Sequence, residues 1–199
     1  MTQPRQDDSA RTTDILAACD EIAANFQALK ALAPEIERAA ALLVAALGAG
    51  GKVMFCGNGG SAADSQHLAA ELTGRYLRDR APIAAIALST DTSALTAIGN
   101  DYGYAHVFER QVRALGRPGD VLVAISTSGN SPNVLLAAEA ARALGIRIVS
   151  MTGHGGGKVA ALADVALKVP SDVTNRIQEM HIAIGHLLCG FAEDALPAD

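Results

Sequence analysis

The sequence predicts an α/β fold, a three-layer sandwich in which helices cover both faces of a five-stranded parallel sheet. Short apolar runs alternate with helical stretches from residue 52 onward, which is the order expected for a parallel sheet. Several of these runs are nearly continuous in Val, Ile, Leu and Ala, as in strands buried on both faces. The expected strands are 52–56, 83–88, 121–125, 147–151 and 165–169, and the expected helices are 62–78, 106–115, 134–144, 159–163 and 176–195.

A helical extension is expected before the first strand, within one domain that spans residues 1–199. The extension covers about 12–49 and the α/β core about 51–196, after a frayed tail of about fourteen residues. Its first helix ends before Pro34 and the second at the glycine-rich stretch 48–51. Such a pair either covers a sheet edge or forms a subunit interface. The apolar positions are Ile15, Cys19, Ile22, Phe26 and Leu29, then Ile36, Ala40, Leu43 and Leu47.

The composition excludes several classes of protein. Half of the residues are apolar and 19% are charged, so the chain is not disordered. The net charge of −5, without a block of like charges, argues against nucleic acid as the main partner. Three widely spaced cysteines without a C-x-x-C motif are typical of a reducing compartment. With no signal peptide and no apolar run of about 20 residues, we expect a cytoplasmic protein without membrane contact.

Two loops at the ends of predicted strands carry candidate binding residues. Residues 57–61 (GNGGS) follow the first strand, where glycines let the backbone approach a ligand. Residues 126–132 (STSGNSP) follow the third, with Ser131 expected as the helix N-cap and Pro132 at the first helical position. Capping needs only Ser131, which leaves three hydroxyls for a phosphate at the helix N-terminus. Both loops have other interpretations: a capped Ser-rich turn, and a relaxed dinucleotide fingerprint over 57–62.

A polar stripe is expected along the helix after the first loop. Asp64, His67, Glu71 and Arg75 lie at i, i+3, i+7 and i+11, which places them on one helical face beginning beside the presumed site. The alternatives are an exposed face with a Glu71–Arg75 pair and, for Asp64, a capping box with Ser61.

The last helix carries Gln178 and His186, two turns apart on roughly one face. We interpret the remaining histidines His106, His154 and His181 as structural.

Four segments together resemble the SIS (sugar isomerase) domain family, and within it the phosphoheptose isomerases. They are GNGGSAADSQHLAAELTGRY (57–76), TAIGNDYG (96–103), GDVLVAISTSGNS (119–131) and RIQEMHIAIGH (176–186). The resemblance runs from about residue 39 onward. It implies a flavodoxin-like α/β sandwich, a homotetramer with active sites shared between subunits, and isomerisation of sedoheptulose 7-phosphate to D-glycero-D-manno-heptose 7-phosphate, the first step of activated-heptose biosynthesis.

The resemblance also implies roles for individual residues. Glu71 and His186 are the implied acid–base pair, with Arg75 beside them. In members that contain metal, one zinc per subunit would be held by His67, Glu71, Gln178 and His186. An Asp in some members is replaced here by Asn175, which puts any acid at that position in doubt. The implied substrate contacts are Asn58, Gly59, Gly60, Glu71, Asn100, Asp101 and Gln178, and the implied phosphate cradle is Ser126, Thr127, Ser128 and Ser131.

Three other functions compete with the isomerase. One relative in the same family is a non-catalytic adaptor that binds the bacterial replication initiator, and it lacks acid–base residues at the positions of Glu71 and His186. Because this chain keeps both, we favour an enzyme that moves a proton between C1 and C2 through an enediol. A sugar-phosphate sensor and a dinucleotide-binding oxidoreductase are the remaining alternatives.

Overall fold

The computed structural model describes residues 8–195. Residues 1–7 of the predicted tail and residues 196–199 at the end of the predicted domain lie outside the described residues. Five parallel strands form one sheet in the order β2-β1-β3-β4-β5. The predicted fold class is confirmed, and each strand falls on a predicted run. The strands are β1 Val53–Cys56, β2 Ala85–Ala87, β3 Val121–Ile125, β4 Arg147–Thr152 and β5 Val165–Lys168.

Helices cover both faces of the sheet and form two apolar cores. One core is built from α2, α3, α8 and one face of the strands, and the other from α5, α6, α7 and the opposite face. Within residues 8–195 no helix is long and apolar enough to cross a membrane. The helices are α1 Asp8–Leu29, α2 Ala33–Gly48, α3 Gly60–Thr73, α4 Thr92–Tyr102, α5 Val107–Leu115, α6 Pro132–Ala143, α7 Gly157–Leu162 and α8 Thr174–Ala195.

One helix start, one helix end and one additional helix differ most from the predictions. The first helix begins at Asp8, so residues 8–14 are helical and were wrongly predicted to be a frayed tail. Helix α4 was not predicted, because it buries no residue completely; its clearest signal is the N-cap Asp91, whose side chain accepts a hydrogen bond from the Ala94 N–H. Helix α3 ends at Thr73 with Gly74 as its C-cap, five residues earlier than predicted. Arg75 therefore lies beyond the helix, and the predicted four-residue stripe is wrong at its last position.

The strand order fixes where a ligand can bind. The chain leaves β1 for β2 on one side and then crosses back to β3 on the other side of β1. In sheets of this order the crevice lies outside the carboxyl ends of the two strands where the direction reverses. Cys56 is paired with Ala124 at that edge. The two loops singled out in the sequence therefore emerge side by side.

Helices α3 and α8 pack against each other at very short range. A Cβ atom on Gly185 would lie 2.5 Å from both terminal methyl carbons of Leu68, which is fully buried. Only glycine lets the helices approach this closely. The contact sets α3 and α8 side by side and brings their polar residues together.

Candidate active site

Three side chains from α3 and α8 converge on one point. His67 Nε2 lies 3.1 Å from Glu71 Oε1 and 3.0 Å from His186 Nε2. One ligand-competent atom from each of the three residues lies within 4.8 Å of the other two. The His67 side chain is 48% exposed and that of Glu71 24% exposed, so the cluster is open to solvent on one side.

The hydrogen-bonding roles of the three groups conflict at His67 Nε2. A neutral imidazole nitrogen carries either a proton or a lone pair. His67 Nε2 therefore cannot both donate to Glu71 and accept from His186. A metal ion would satisfy all three atoms together. Two imidazole nitrogens and a carboxylate oxygen are ligands that zinc accepts.

Tyr76 is a site residue for which the sequence analysis predicted no role. Its ring stacks on the His186 ring, with 5.7 Å between centroids and 24° between planes. The contact exists because the chain turns away from α3 at Gly74 and passes back over α8. Because the helix was predicted to continue to residue 78, the stacking of Tyr76 on His186 could not be predicted from the sequence.

Gln178 lies apart from the three-residue cluster within one chain. Its amide packs on Gly60, where an added Cβ would lie 2.4 Å from Gln178 Nε2. Eight residues of helix separate Gln178 from His186, a rise of about 12 Å. One chain thus brings together three of the four predicted zinc ligands and places the fourth beside the glycine loop. Asn175 is exposed one turn earlier, near the start of α8.

The glycine loop is held to the serine loop by a pair of amides. Asn58 donates to Asn133 Oδ1 at 2.9 Å and Asn133 donates to Asn58 Oδ1 at 2.8 Å. Tyr104 donates its hydroxyl to the same oxygen of Asn58 at 3.2 Å. Gly59 adopts φ +56° as the N-cap of α3, a conformation that favours glycine. The predicted contacts Asn58, Gly59 and Gly60 therefore lie at the N-terminus of α3.

The serine loop begins α6 as predicted, but Ser131 does not cap the helix. It occupies the N-cap position without a side-chain capping bond, and its Oγ lies 2.9 Å from Ser126 Oγ. Ser128 Oγ accepts a bond from the Asn130 N–H within the turn. Pro132 is at the start of the helix, as expected. Since the hydroxyl of Ser131 points to Ser126 instead of the helix N–H groups, capping alone does not explain this loop.

Asn100 and Asp101 lie at the exposed C-terminal end of α4. The Asn100 amide donates to the Asp101 carboxylate at 2.8 Å. Within residues 8–195, no hydrogen bond joins either side chain to the glycine or serine loops.

The capping box with Ser61, the alternative considered for Asp64, does not form. Gly59 is the N-cap of α3, and Ser61 is buried in its first turn with its carbonyl accepting a bond from Ser65. Asp64 Oδ2 is buried without a hydrogen-bond partner. Burial raises the pKa of Asp64 to about 6, against a smaller opposing effect of His67. The carboxyl lies one turn before His67 on α3.

The three remaining histidines lie outside the cluster. His181 is fully buried in α8, and burial lowers its pKa to about 4. His106 pairs with Glu109 at 2.6 Å. His154 is exposed in the turn after β4. None of these positions reaches the cluster of His67, Glu71 and His186.

The fold and both loops match a known domain class. The SIS domain family model matches residues 19–153 of the chain, well over half of its length. The chain therefore belongs to the SIS domain family.

Close relatives define its place within that family. A phosphoheptose isomerase of Rhodospirillum rubrum is 62% identical over 92% of this chain and 97% of its own length. One from Akkermansia muciniphila is 59% identical over 86% of this chain and 91% of its own. The solved structure of phosphoheptose isomerase from Neisseria gonorrhoeae is 49% identical, with a TM-score of 0.87 over 92% of this chain and 98% of that one. The chain is a member of the phosphoheptose isomerase branch of the SIS domain family.

Asp64 provides a test of the site's electrostatics. The unfolded carboxyl titrates near pH 4 and the folded one at about 6, so the folded state holds the extra proton in this window. The contribution of Asp64 to stability should therefore fall as pH rises from 4 to 6 and stay lower above it. Asp64→Asn should raise the free energy of unfolding by about 1 kcal/mol at pH 8, a value discounted for the solvent that reaches this half-buried side chain.

The measurement is thermal unfolding of wild type and Asp64→Asn at pH 8 and pH 4. The melting temperature of the variant should be higher by about 2–4 °C at pH 8 and unchanged at pH 4. Asp172→Asn, an exposed position, is the control. An equal difference at both pH values would show that Asp64 is not the titrating group.

Proposed function

We propose that this site isomerises sedoheptulose 7-phosphate to D-glycero-D-manno-heptose 7-phosphate, the first step of activated-heptose biosynthesis. The chain is a sugar-phosphate aldose–ketose isomerase. The observation that carries the proposal is the meeting of Glu71 and His186 at one open point, on a chain more than half identical to named phosphoheptose isomerases.

The reaction requires a base and an acid on the same side of the substrate. A base removes a proton from C1 of the ketose, the enediol forms, and a proton is delivered to C2, while an acid exchanges protons with the two oxygens. We assign the carbon-to-carbon proton transfer to Glu71 and the oxygen protons to His186. Their reactive atoms lie close enough to share one two-carbon unit. Tyr76 fixes the plane of the His186 ring by stacking on it.

The phosphate of the substrate is assigned to the serine loop. Ser126, Thr127, Ser128 and Ser131 surround the N-terminus of α6, where unpaired N–H groups and the helix dipole favour an anion. A phosphate oxygen can replace the mutual hydrogen bond of Ser126 and Ser131. Asn58, Gly59, Gly60 and Gln178, at the adjoining start of α3, are suited to bind hydroxyl groups of the sugar.

A zinc ion is proposed at the same cluster. His67, Glu71 and His186 would hold it, with Gln178 as the fourth ligand implied by the resemblance. When bound, zinc would supply a Lewis acid that polarises a carbonyl oxygen. A carboxylate bound to a metal is not a free base. We therefore keep Glu71 as the proton-transfer residue and assign the metal to partial occupancy or a structural role.

The alternative functions have less support. An adaptor has no need of an acid–base pair, and here Glu71 and His186 are both present and meet. The relatives named above are isomerases. For an oxidoreductase, the glycine loop would have to accept a dinucleotide, but Gly60 is already covered by the Gln178 amide.

A homotetramer with shared active sites is proposed as the working form. An apolar groove between α1, α2 and α8 is lined by Phe26, Leu29 and Ile36. At its rim the side chains of Leu187 and Phe191 are nearly half exposed. Such a surface is typical of a subunit interface. Gln178 lies beside Gly60, apart from the catalytic cluster of its own chain, which also supports sites completed by a second subunit. The three cysteines are free, which supports a cytoplasmic location.

Glu71→Gln tests the assignment of the base. The variant keeps the size of the side chain but cannot accept the C1 proton, so kcat should fall by about 10² or more. The measurement is formation of the aldose phosphate by NMR, alongside thermal unfolding of the same sample. Glu139→Gln, an exposed position on α6, is the matched control and should turn over normally. Near-normal turnover by folded Glu71→Gln would remove Glu71 from the mechanism.

His67 tests the metal, because it would bind zinc without being the principal base. Protein purified without chelator should contain zinc, at or below one per chain, and chelation should remove zinc and activity together. His67→Ala should contain much less zinc, and His154→Ala should match wild type. Elemental analysis gives both values. Full activity after exhaustive chelation, with no zinc detected, would reduce the cluster to an acid–base site.

The oligomeric state is tested by light scattering. The wild type should have a mass near four times the 20.4 kDa chain at micromolar concentration. Phe191→Glu places a charge in the apolar groove and should lower that mass. A wild-type mass near one chain would contradict the proposed assembly.

A further inference from the structure

A buried carboxylate anchors the segment that follows α3. Glu193 lies on α8, and its side chain is 2% exposed. It accepts hydrogen bonds from the backbone N–H groups of Tyr76, Leu77 and Arg78, at 3.3, 3.0 and 3.0 Å. Burial opposes the charge on this carboxyl, but these three N–H groups and Arg80 outweigh it and hold the pKa of Glu193 below its usual range. The carboxylate is therefore ionised at neutral pH.

A buried guanidinium links this carboxylate to the end of α3. The Arg80 side chain is 3% exposed, and its Nε donates to Glu193 Oε1 at 3.2 Å. Its Nη2 donates to the carbonyl of Glu71 at 2.8 Å and its Nη1 to that of Leu72 at 2.9 Å. Arg80 thus satisfies carbonyl groups that the end of a helix leaves without partners. One of them belongs to the residue assigned as the base.

A buried ion pair is an energetically costly means of satisfying the carbonyl groups at the end of a helix. Desolvation of two charges usually cancels their attraction, so such pairs add little stability. An exposed lysine would satisfy the same carbonyls without that cost. The buried pair instead fixes directions, since a planar guanidinium bonded on several edges has one orientation.

The position of the pair relates the two catalytic residues to each other. Glu193 lies seven residues after His186 on the same helix, or about two turns. Arg80 holds the backbone of Glu71 on the neighbouring helix. The Tyr76 N–H is bonded to Glu193, and the Tyr76 ring stacks on His186. Glu71, Tyr76 and His186 are therefore all tied to one ion pair that does not itself reach the cluster.

We propose that Arg80 and Glu193 are positioning residues that set the distance between Glu71 and His186 and hold Tyr76 against the His186 ring. This inference rests on the acid–base roles proposed for Glu71 and His186. The pair should affect the catalytic step and not the binding of the phosphate, because the serine loop that would bind the phosphate lies between other elements, β3 and α6.

The test compares steady-state kinetics of Glu193→Gln, Arg80→Lys and the double variant with those of wild type. Glutamine keeps the shape but supplies one acceptor oxygen in place of two, and lysine keeps the charge but cannot bond the carbonyls of Glu71 and Leu72 in one plane. Each single variant should lower kcat about tenfold or more, with KM within about threefold of wild type. The double variant should lose little more than either single one, because both break the same unit.

Asp194→Asn is the matched control. Asp194 is the next residue on α8 and forms an exposed ion pair with Arg78. Asp194→Asn removes one negative charge, as Glu193→Gln does, but leaves the ion pair of Arg80 and Glu193 in place. The kcat of this variant should therefore equal that of wild type. Thermal unfolding of every variant separates loss of folding from loss of catalysis. If Glu193→Gln does not unfold cooperatively, Arg80→Lys decides the question alone.

Two results would overturn the proposal. One is a lowered melting temperature with wild-type kcat per folded molecule, which would make the pair a stabilising contact only. The other is a fall in kcat for Asp194→Asn as large as that for Glu193→Gln. If the wild type itself did not turn over the sugar phosphate, the proposed function would fail. This outcome is distinguishable from failure of the positioning role of Arg80 and Glu193, which is judged from the variants against an active wild type.

Discussion

The close packing of α3 against α8 is the constraint on which the site depends. Three contacts follow one another along this seam: the Gln178 amide on Gly60, Leu68 on Gly185, and Arg80 with Glu193. At the first two, a Cβ on the glycine would lie within 2.5 Å of the opposing side chain. The helices therefore have one register, and in that register His67 and Glu71 meet His186. The apolar core and the catalytic cluster share this seam.

The parallel sheet supplies the second half of the site. The strands are added on one side of β1 and then on the other, so β1 and β3 are neighbours at the point where the strand order reverses. The loops after these two strands therefore emerge together, and the reciprocal amide pair of Asn58 and Asn133 ties them to each other. An anion at the start of α6 and a sugar chain at the start of α3 would then lie along one edge. The sheet thus positions the groups proposed to bind substrate, and the α3–α8 seam positions the groups proposed to move protons.

The sequence predicts those parts of the molecule that local pattern controls. All five strands could be predicted because buried parallel strands are apolar runs, and His67 and Glu71 could be paired because i and i+4 share a helical face. Tyr76, Arg80 and Glu193 could not be predicted as site residues. Their roles depend on where α3 ends and on contacts between positions more than a hundred residues apart. The alternative capping box of Asp64 with Ser61 does not form, because Gly59, with its positive φ, is the N-cap of α3 instead of Ser61.

Isomerisation in D₂O tests the central claim most directly. Purified protein is incubated with sedoheptulose 7-phosphate in D₂O, and the product is followed by NMR. If an enediol forms and Glu71 exchanges its proton with solvent, the aldose phosphate should appear with deuterium at C2 in at least part of the product. Absence of the aldose would contradict the assigned function. An aldose that carries only protium at C2 from the earliest to the latest time points would contradict the enediol route.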